Sequence, residues 1–189
     1  MVHLLVDSTG LKLFVEGKWK VRSWRKVHPG MGAGTGQICA VLMTHKDADD
    51  ASVVPVLLAQ TLQVTKVKVV IGDGTYNTMA ARAAIAKCGG LAVIPPVEGA
   101  VYWPATQAGA PERNEAIKPK ARSGKQDWKD NNGYHRRSLV ENLIYRFKTL
   151  TGDRLWTRDV QVQDAEITIR VGTINCMLVL ARPRSVRMA

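Results

Sequence analysis

Residues 134–148 read YHRRSLVENLIYRFK, and no other stretch of the 189-residue chain carries as clear a structural signal. On an α-helix, with about 100° between successive residues, four polar side chains lie within about 60° of one another. These four are Tyr134, Arg137, Glu141 and Lys148. The opposite side, where a hydrophobic core packs, carries Leu139, Leu143, Phe147 and Leu150. The stretch therefore predicts an amphipathic helix that holds a carboxylate between cationic groups, an arrangement suited to an acidic, metal-carrying site that receives a phosphate backbone.

The chain is strongly basic, with a formal net charge of +11 at pH 7. The charge is concentrated between Lys118 and Lys148, where nine Lys and Arg residues face three acids. A basic surface of this kind favours a polyanionic partner, with nucleic acid as the default. The alternative is a charged face that only keeps the protein in solution.

The three cysteines are far apart and have no paired metal-ligand spacing. We expect them to be small buried thiols in a reducing compartment. The sequence contains neither a signal peptide nor an apolar run of about 18 residues. These features predict a cytoplasmic protein without a membrane partner; association with the nucleoid is expected only if the polyanionic partner is genomic DNA.

The first third of the chain predicts three β-strands and a helix. Leu4 to Val6 is a short apolar run, and further β-like runs cover residues 23–27 and 37–44. The glycine-rich residues 29–36 between the last two are typical of a hairpin connection. Asp47, Asp49 and Asp50 supply negative charge where the helix at residues 53–62 begins, so we interpret them as capping residues.

A parallel crossover follows. The β-branched run at residues 66–71 and the apolar run at 91–94 enclose a helix at 76–88, with Thr75 as its cap. A strand, a helix and a strand in this order form a right-handed parallel unit. With the preceding antiparallel strands, this predicts an α/β fold built on a mixed sheet flanked by helices.

Residues 97–133 show no sustained period and predict a basic, irregular insertion or loop. Trp103, Trp128 and, beyond this segment, Trp156 have Lys or Arg nearby and could stack on an extruded base. The alternative, which we expect, is that they pack the loop onto the body. Residues 162–180 are apolar enough for a final helix, although 167–171 also alternate as a strand would.

Residues 1–189 are predicted to form a single domain.

Two further acids lie in a context that matches Glu141. Asp7 and Asp73 each follow the carboxyl end of an apolar strand, where loops open onto a site. Three carboxylates from three elements can hold two Mg²⁺ ions, which need oxygen ligands. A pair of such ions promotes phosphodiester displacement. Each acid also has an ordinary interpretation, a turn for Asp73-Gly and a solvated salt-bridge face for Glu141.

The ordered combination of motifs resembles the DDE transposases of bacterial insertion sequences. The resemblance is to the insertion-sequence-five family, within the larger insertion-sequence-four-like group. Its main motifs are DSTGLK at 7–12, IGDGTY at 71–76 and the Y-x2-R-x3-E-x6-K signature at 134–148. WRKVH at 24–28, AVIPP at 92–96 and GDRL at 152–155 extend it over nearly the whole chain.

The resemblance implies an RNase H-like fold in which Asp7, Asp73 and Glu141 form the catalytic, metal-binding triad. Two Mg²⁺ ions are the expected cofactors, and Mn²⁺ is expected to substitute. Water would attack a phosphodiester at the element's end, and the freed 3′-hydroxyl would attack target DNA.

The resemblance also implies partners. Tyr134, Arg137 and Lys148 would contact transposon-end DNA near the scissile phosphate. His135 and Arg136, beside them, would contact phosphate or only the solvent. Double-stranded DNA, both ends and target, would be bound by a homo-oligomer.

Family members carry a helical region before the first catalytic strand, and here that region is nearly absent. We expect either the second reading frame of a two-frame element, with an upstream-frame partner or fusion, or a truncated copy. Residues 21–24 also look shortened, and Pro29 would break a ladder hydrogen bond in the second strand.

Two other functions stay open. One is a catalytically inactive DNA-binding remnant of a truncated transposase. The other is an RNase H-like nuclease that acts on RNA–DNA hybrids.

Overall fold

Seven strands form one mixed sheet in the computed structural model, which describes residues 1–13, 24–122 and 124–181. The strands are β1 (Val2–Val6), β2 (Thr9–Leu13), β3 (Trp24–Gly32), β4 (Ile38–His45), β5 (Val67–Ile71), β6 (Leu91–Val93) and β7 (Arg154–Leu155). The helices are α1 (Val54–Leu62), α2 (Met79–Lys87), α3 (Ala110–Arg122), α4 (Gly124–Asn131), α5 (Ser138–Thr151) and α6 (Val160–Leu180). Three 3₁₀ turns precede α1, α2 and α5, at Asp50–Val53, Gly74–Tyr76 and Tyr134–Arg137.

The sheet is mixed because β3 runs against its neighbours while β1, β5 and β6 run parallel. β4 pairs with one side of β3, and β1 and β2 share the other side. β7 adds a parallel edge beside β2. The unit β5–α2–β6 is the predicted parallel crossover. The predicted α/β class with a mixed sheet flanked by helices is confirmed.

β1 and β2 continue one line along β3. Val6 pairs with Gly30 and Thr9 pairs with Val27, so both strands keep the same register. Only Asp7 and the residue after it interrupt the line, and neither belongs to a strand. The first predicted carboxylate therefore lies at a gap within an otherwise continuous pairing.

Pro29 does not interrupt β3, which runs through the proline to Gly32; the expected loss is confined to one ladder hydrogen bond. The backbone N–H of Ala33 donates to the carbonyl of His3, 2.8 Å away. Successive residues of a strand point to opposite neighbours, so position 29 faces the same side as position 33. The hydrogen bond that Pro29 lacks therefore falls opposite Asp7, where the ladder is interrupted.

Side chains of β1 alternate between two cores on opposite faces of the sheet. Leu4 and Val6 pack in the core that α1 and α2 cover. Leu5 packs in the core that α5 and α6 cover, together with Ile71 of β5. The same alternation, continued past the end of a strand, determines which face of the sheet the following residues approach.

The prediction of an irregular segment at residues 97–133 is wrong, because α3 and α4 lie within it. The residues of α3 that face the body, spaced by three, are Ala110, Arg113 and Ala116. Two alanines and an arginine do not register as an apolar stripe, so periodicity missed the helix. Trp128 is buried as expected, whereas Trp156 is 66% exposed.

Two predicted helix features need correction. Thr78, not Thr75, caps α2 by accepting a hydrogen bond from an N–H of its first turn. The motif stretch begins as a 3₁₀ turn and becomes α-helical only at Ser138. Its buried face consists of Val140, Leu143 and Phe147, whereas Leu139 and Leu150, at the margins of that face, are exposed.

Several smaller expectations have mixed outcomes. The final helix is confirmed as α6, so the strand-like alternation at 167–171 was misleading. The cysteines are free but not fully buried, and Cys176 is exposed. No helix among the described residues is long and apolar enough to cross a bilayer. The shortened stretch at 21–23 lies outside the described residues, and the single-domain division stays a prediction.

The glycines on either side of Asp73 give a matched test of how tightly this corner is packed. A Cβ on Gly72 would lie 3.0 Å from Tyr76 Cδ2 and 3.1 Å from Val6 Cγ2. A Cβ on Gly74 would meet only the Pro95 carbonyl oxygen, at 3.6 Å. We expect Gly72→Ala to lower the free energy of unfolding by about 1–3 kcal/mol, and Gly74→Ala to lower it by less. Urea denaturation measures both; equal losses would contradict the packing account.

Candidate active site

The strand register brings Asp7 and Asp73 together. Leu5 of β1 is paired with Ile71 of β5 in a parallel ladder, and both side chains enter the α5 core. Each aspartate lies two residues further along its chain, so both approach the same face at the carboxyl end of the sheet. Neighbouring strands lie about 4.8 Å apart, which sets how close the two carboxylates come.

Arg137 joins three carboxylates. Its Nη2 lies 3.2 Å from Asp7 Oδ2 and 3.5 Å from Asp73 Oδ2. Its Nη1 donates to Glu141 Oε1, one helical turn further along the chain. Two acids that follow β1 and β5 and one from α5 therefore converge on a single guanidinium.

The inner oxygen of each aspartate is fixed by the backbone. Asp7 Oδ1 accepts the Ser8 N–H at 2.8 Å. Asp73 Oδ1 accepts the Thr75 N–H at 2.9 Å and also the Thr75 hydroxyl. The Oδ2 atoms are thus the ones that point to the common centre, where Arg137 binds them.

The cluster is acidic in balance, because one guanidinium faces three carboxylates. Burial raises the pKa of Asp7, with Asp73 and Glu141 adding to the rise, while the Ser8 N–H and Arg137 oppose it. Burial lowers the pKa of Arg137, but the surrounding acids and Tyr134 outweigh it and the pKa is raised. The site therefore favours additional positive charge.

Two buried polar atoms beside the acids have no hydrogen-bond partner among the described residues, Tyr76 Oη and Arg137 Nε. Burial raises the pKa of Tyr76, and Asp50, Asp7 and Asp73 raise it further. The phenol consequently stays protonated and can donate a hydrogen bond into the acidic region.

The donor atoms suit a hard divalent cation. Carboxylate oxygens are the ligands that Mg²⁺ and Mn²⁺ prefer, and within the described part of the chain the two Oδ2 atoms accept hydrogen bonds from Arg137 alone. As arranged, no three His, Cys, Asp or Glu side chains among the described residues form a metal-binding group. The guanidinium supplies the positive charge at the centre of the cluster, so a metal ion would have to displace it.

The remaining predicted site residues are placed at different distances from the acids. Tyr134 packs against Trp128, with ring centroids 5.7 Å apart. Burial raises the pKa of Tyr134, and the three acids raise it further, while Arg137 opposes the rise. Arg136 instead contacts His3, with Nη1 3.1 Å from Nδ1. His135 is exposed, and Lys148 lies half-buried two turns beyond Glu141 on α5.

A cleft of about 760 Å³ opens beside the acidic cluster. Gly74, which follows Asp73, and Tyr134 belong to its wall. The complete lining is Gly74, Pro95, Pro96, Val97, Glu98, Gly99, Lys129 and Tyr134. The site is therefore open to a large ligand on this side.

Sequence reasoning missed the part played by Asp50. The capping interpretation fits its position, because Asp50 lies in the first turn of the 3₁₀ segment, but the N-cap residue Asp49 makes no side-chain cap hydrogen bond. Asp50 instead accepts hydrogen bonds from Lys26 Nζ at 2.9 Å and from Ser8 Oγ at 3.1 Å. No spacing pattern connects residues that are 42 positions apart, and only Ser8's place next to Asp7 was a signal.

A family model described as "Transposase DDE domain" matches residues 1–176. The match includes all three carboxylates and the whole of the sheet. With this match, the mixed sheet and its flanking helices confirm the predicted RNase H-like α/β fold.

Arg137→Gln should raise the pKa of Asp7 further, because the substitution removes the cation that lowers it. A pH titration of ¹³C-labelled aspartate carboxyl groups by NMR measures the change. Arg136→Gln is the control, since Arg136 contacts His3 rather than the acids. An unchanged or lower pKa in Arg137→Gln would show that the guanidinium does not govern the cluster.

Asp7 should make the metal-free protein less stable as pH rises. The pKa of Asp7 is higher in the folded than in the unfolded protein. Its contribution to the free energy of unfolding is therefore present below about pH 4 and is lost as pH rises through the folded pKa. We therefore expect Asp7→Asn to raise the melting temperature in EDTA, by an amount that grows from about pH 4 to pH 7.

Asp153 provides a control of opposite sign. Its hydrogen bond with Lys12 lowers its pKa, so its stabilisation is present at neutral pH and is lost as pH falls. Asp153→Asn should reduce the melting temperature at pH 7, and this effect should fade only as the pH drops below about 4. If both variants change in the same direction with pH, the assignment for Asp7 is contradicted.

Proposed function

The chain belongs to the transposase DDE domain family, and from that premise we propose that it cuts DNA at insertion-sequence ends and transfers the resulting 3′-hydroxyl to target DNA. The observation that carries the proposal is the convergence of Asp7, Asp73 and Glu141 on Arg137. Three elements far apart in the chain contribute one acid each to this point. The insertion-sequence-five subgroup is part of the proposal and is supported by the motif spacing.

Asp7, Asp73 and Glu141 would hold Mg²⁺, or Mn²⁺ in its place. When bound, such ions activate the attacking oxygen and stabilise the leaving one in phosphodiester displacement. Arg137 would leave the carboxylates as the ions arrive. A DNA phosphate offers the guanidinium another anionic partner with matching geometry. Arg137 would thus exchange its carboxylate partners for a DNA phosphate. This exchange would explain why a cation lies at the centre of an acidic site.

The basic stretch around the site would position the DNA. Arg137 contacts the acids and Tyr134 lines the cleft, while Lys148, His135 and Arg136 lie further out. Contacts of this type bind the backbone without reading sequence, and they weaken as salt is added. We propose that these five residues bind the phosphates on either side of the scissile bond.

The proposed chemistry has two displacements. In the first, a water oxygen bonds to phosphorus and the bond from phosphorus to the 3′-oxygen breaks, leaving a 3′-hydroxyl and a 5′-phosphate. In the second, that 3′-hydroxyl bonds to a target phosphorus and a target 3′-oxygen leaves. Each step makes one P–O bond and breaks another, so no covalent enzyme intermediate is required.

Processing two ends together requires two sites, so we propose a homo-oligomer on DNA. An upstream-frame partner or fusion would supply further DNA contacts. Because genomic DNA is the substrate, the protein would act at the nucleoid.

Asp73→Asn should abolish end cleavage, by on the order of 10³-fold or more, because losing an acid removes several kcal/mol of transition-state stabilisation. DNA binding should remain measurable by gel shift. Asp47→Asn, an exposed acid paired with His45 and Lys46, is the control and should cleave normally. Retained cleavage by Asp73→Asn would contradict the triad.

Pre-cleaved ends separate an active transposase from a DNA-binding remnant. With Mg²⁺ or Mn²⁺, the wild type should join a pre-cut 3′-hydroxyl end to target DNA. Normal binding without strand transfer or cleavage would identify the remnant. Cleavage of an RNA–DNA hybrid in preference to an element-end duplex would instead identify a hybrid-specific nuclease.

A further inference from the structure

A second polar network lies directly behind Asp7 and is centred on Asp50. Its Oδ1 accepts from Lys26 Nζ at 2.9 Å and lies 3.7 Å from Nδ1 of His28. Its Oδ2 accepts from the Ser8 hydroxyl at 3.1 Å. His28 is fully buried, and its Nε2 lies 2.8 Å from the Thr44 hydroxyl. The proposed reaction uses none of these groups.

Rigid elements hold the network on both sides. Lys26 and His28 are two residues apart on β3, so they share one face of the sheet. Lys26 Nζ also donates to the Ala48 carbonyl at 2.9 Å. Asp50 opens a 3₁₀ turn whose Ala51 and Val53 are buried in the α1 core. Asp50 is therefore held in a fixed place relative to the sheet.

Ser8 joins this network to the acidic cluster. Its hydroxyl donates to Asp50, while its backbone N–H donates to Asp7 Oδ1 at 2.8 Å. One residue thus holds both carboxylates, through different groups. Any shift of the Ser8 backbone would move the atom that fixes the Asp7 side chain.

The backbone needs such support at this point. Asp7 and Ser8 form the gap between β1 and β2, and Pro29 opposite them lacks an N–H for the ladder. With a ladder hydrogen bond missing here, the bond from Ser8 to Asp50 is a tertiary restraint on the gap.

We infer that Asp50 is a positioning residue, which acts through Ser8 to hold the Asp7 carboxylate in the orientation that binds a divalent cation. The inference rests on the proposed metal-binding function of Asp7. Asp50 itself would not reach the ion, because both of its oxygens are engaged by Ser8 and Lys26. Groups that orient metal ligands in this way raise metal affinity by about 10–100-fold.

A simpler role for Asp50 is to neutralise Lys26 and stabilise the junction of β3 with α1. Ser8→Ala distinguishes the two roles, because it removes the link to Asp7 while leaving the Asp50–Lys26 pair intact. Ser8→Thr restores a hydroxyl and should rescue the loss. Asp50→Asn removes the charge, and Asp49→Asn, an exposed acid without a side-chain cap, is its matched control.

Two measurements on the full chain test the inference without relying on activity. The first is Mn²⁺ binding, followed by the EPR signal of free Mn²⁺. Ser8→Ala and Asp50→Asn should bind Mn²⁺ about tenfold more weakly than wild type, while Ser8→Thr and Asp49→Asn should match it. The second is hydrogen exchange of the Ser8 amide without metal, which should be faster in Asp50→Asn than in Asp49→Asn.

The outcomes separate this inference from the proposed function. Wild-type exchange in Asp50→Asn, or wild-type Mn²⁺ affinity in both Ser8→Ala and Asp50→Asn, would overturn the positioning role. If Asp7→Asn binds Mn²⁺ as tightly as wild type, or if wild type binds none, the metal-binding function of Asp7 fails. The exchange rate of the Ser8 amide still decides whether Asp50 holds the turn.

Discussion

The parallel register of β1 and β5 is the constraint on which the site depends. Leu5 and Ile71 are paired and fully buried, as are Leu4 and Val70 beside them. Burying one such side chain contributes about 1.5–3 kcal/mol. A slip of one residue would send every side chain of the strand to the opposite face. The core thereby holds in place two aspartates that do not belong to it.

Charge balance explains why residues of opposite sign share one narrow region. Arg137 faces three carboxylates and cannot neutralise them alone, so the cluster favours divalent cations. The surrounding surface is basic and favours a polyanion. In the proposed function Arg137 would serve both, because a guanidinium binds carboxylate and phosphate through the same planar donors. The protein's net charge of +11 and its acidic centre are therefore parts of one arrangement.

The sequence predicted the parts of the molecule that follow from local pattern. The positions of Asp7 and Asp73 could be predicted because each follows an apolar strand. The β5–α2–β6 unit could be predicted because its strand, helix and strand follow one another in the chain. Motif similarity added the partnership with Glu141. By contrast, α3 buries alanine and arginine and gives no apolar period. Pro29 looked disruptive because the sequence does not show which residue lies opposite it. In the structure that residue is Asp7, which belongs to no strand. Asp50 contacts Ser8 only because α1 folds back onto the sheet.

In the proposed function the three carboxylates bind divalent cations in place of Arg137. Anomalous diffraction from crystals of the protein grown with Mn²⁺ tests it most directly. We expect manganese peaks contacted by Asp7, Asp73 and Glu141, with the Arg137 guanidinium displaced from all three. Manganese peaks that avoid these acids, with Arg137 still joining them, would contradict it.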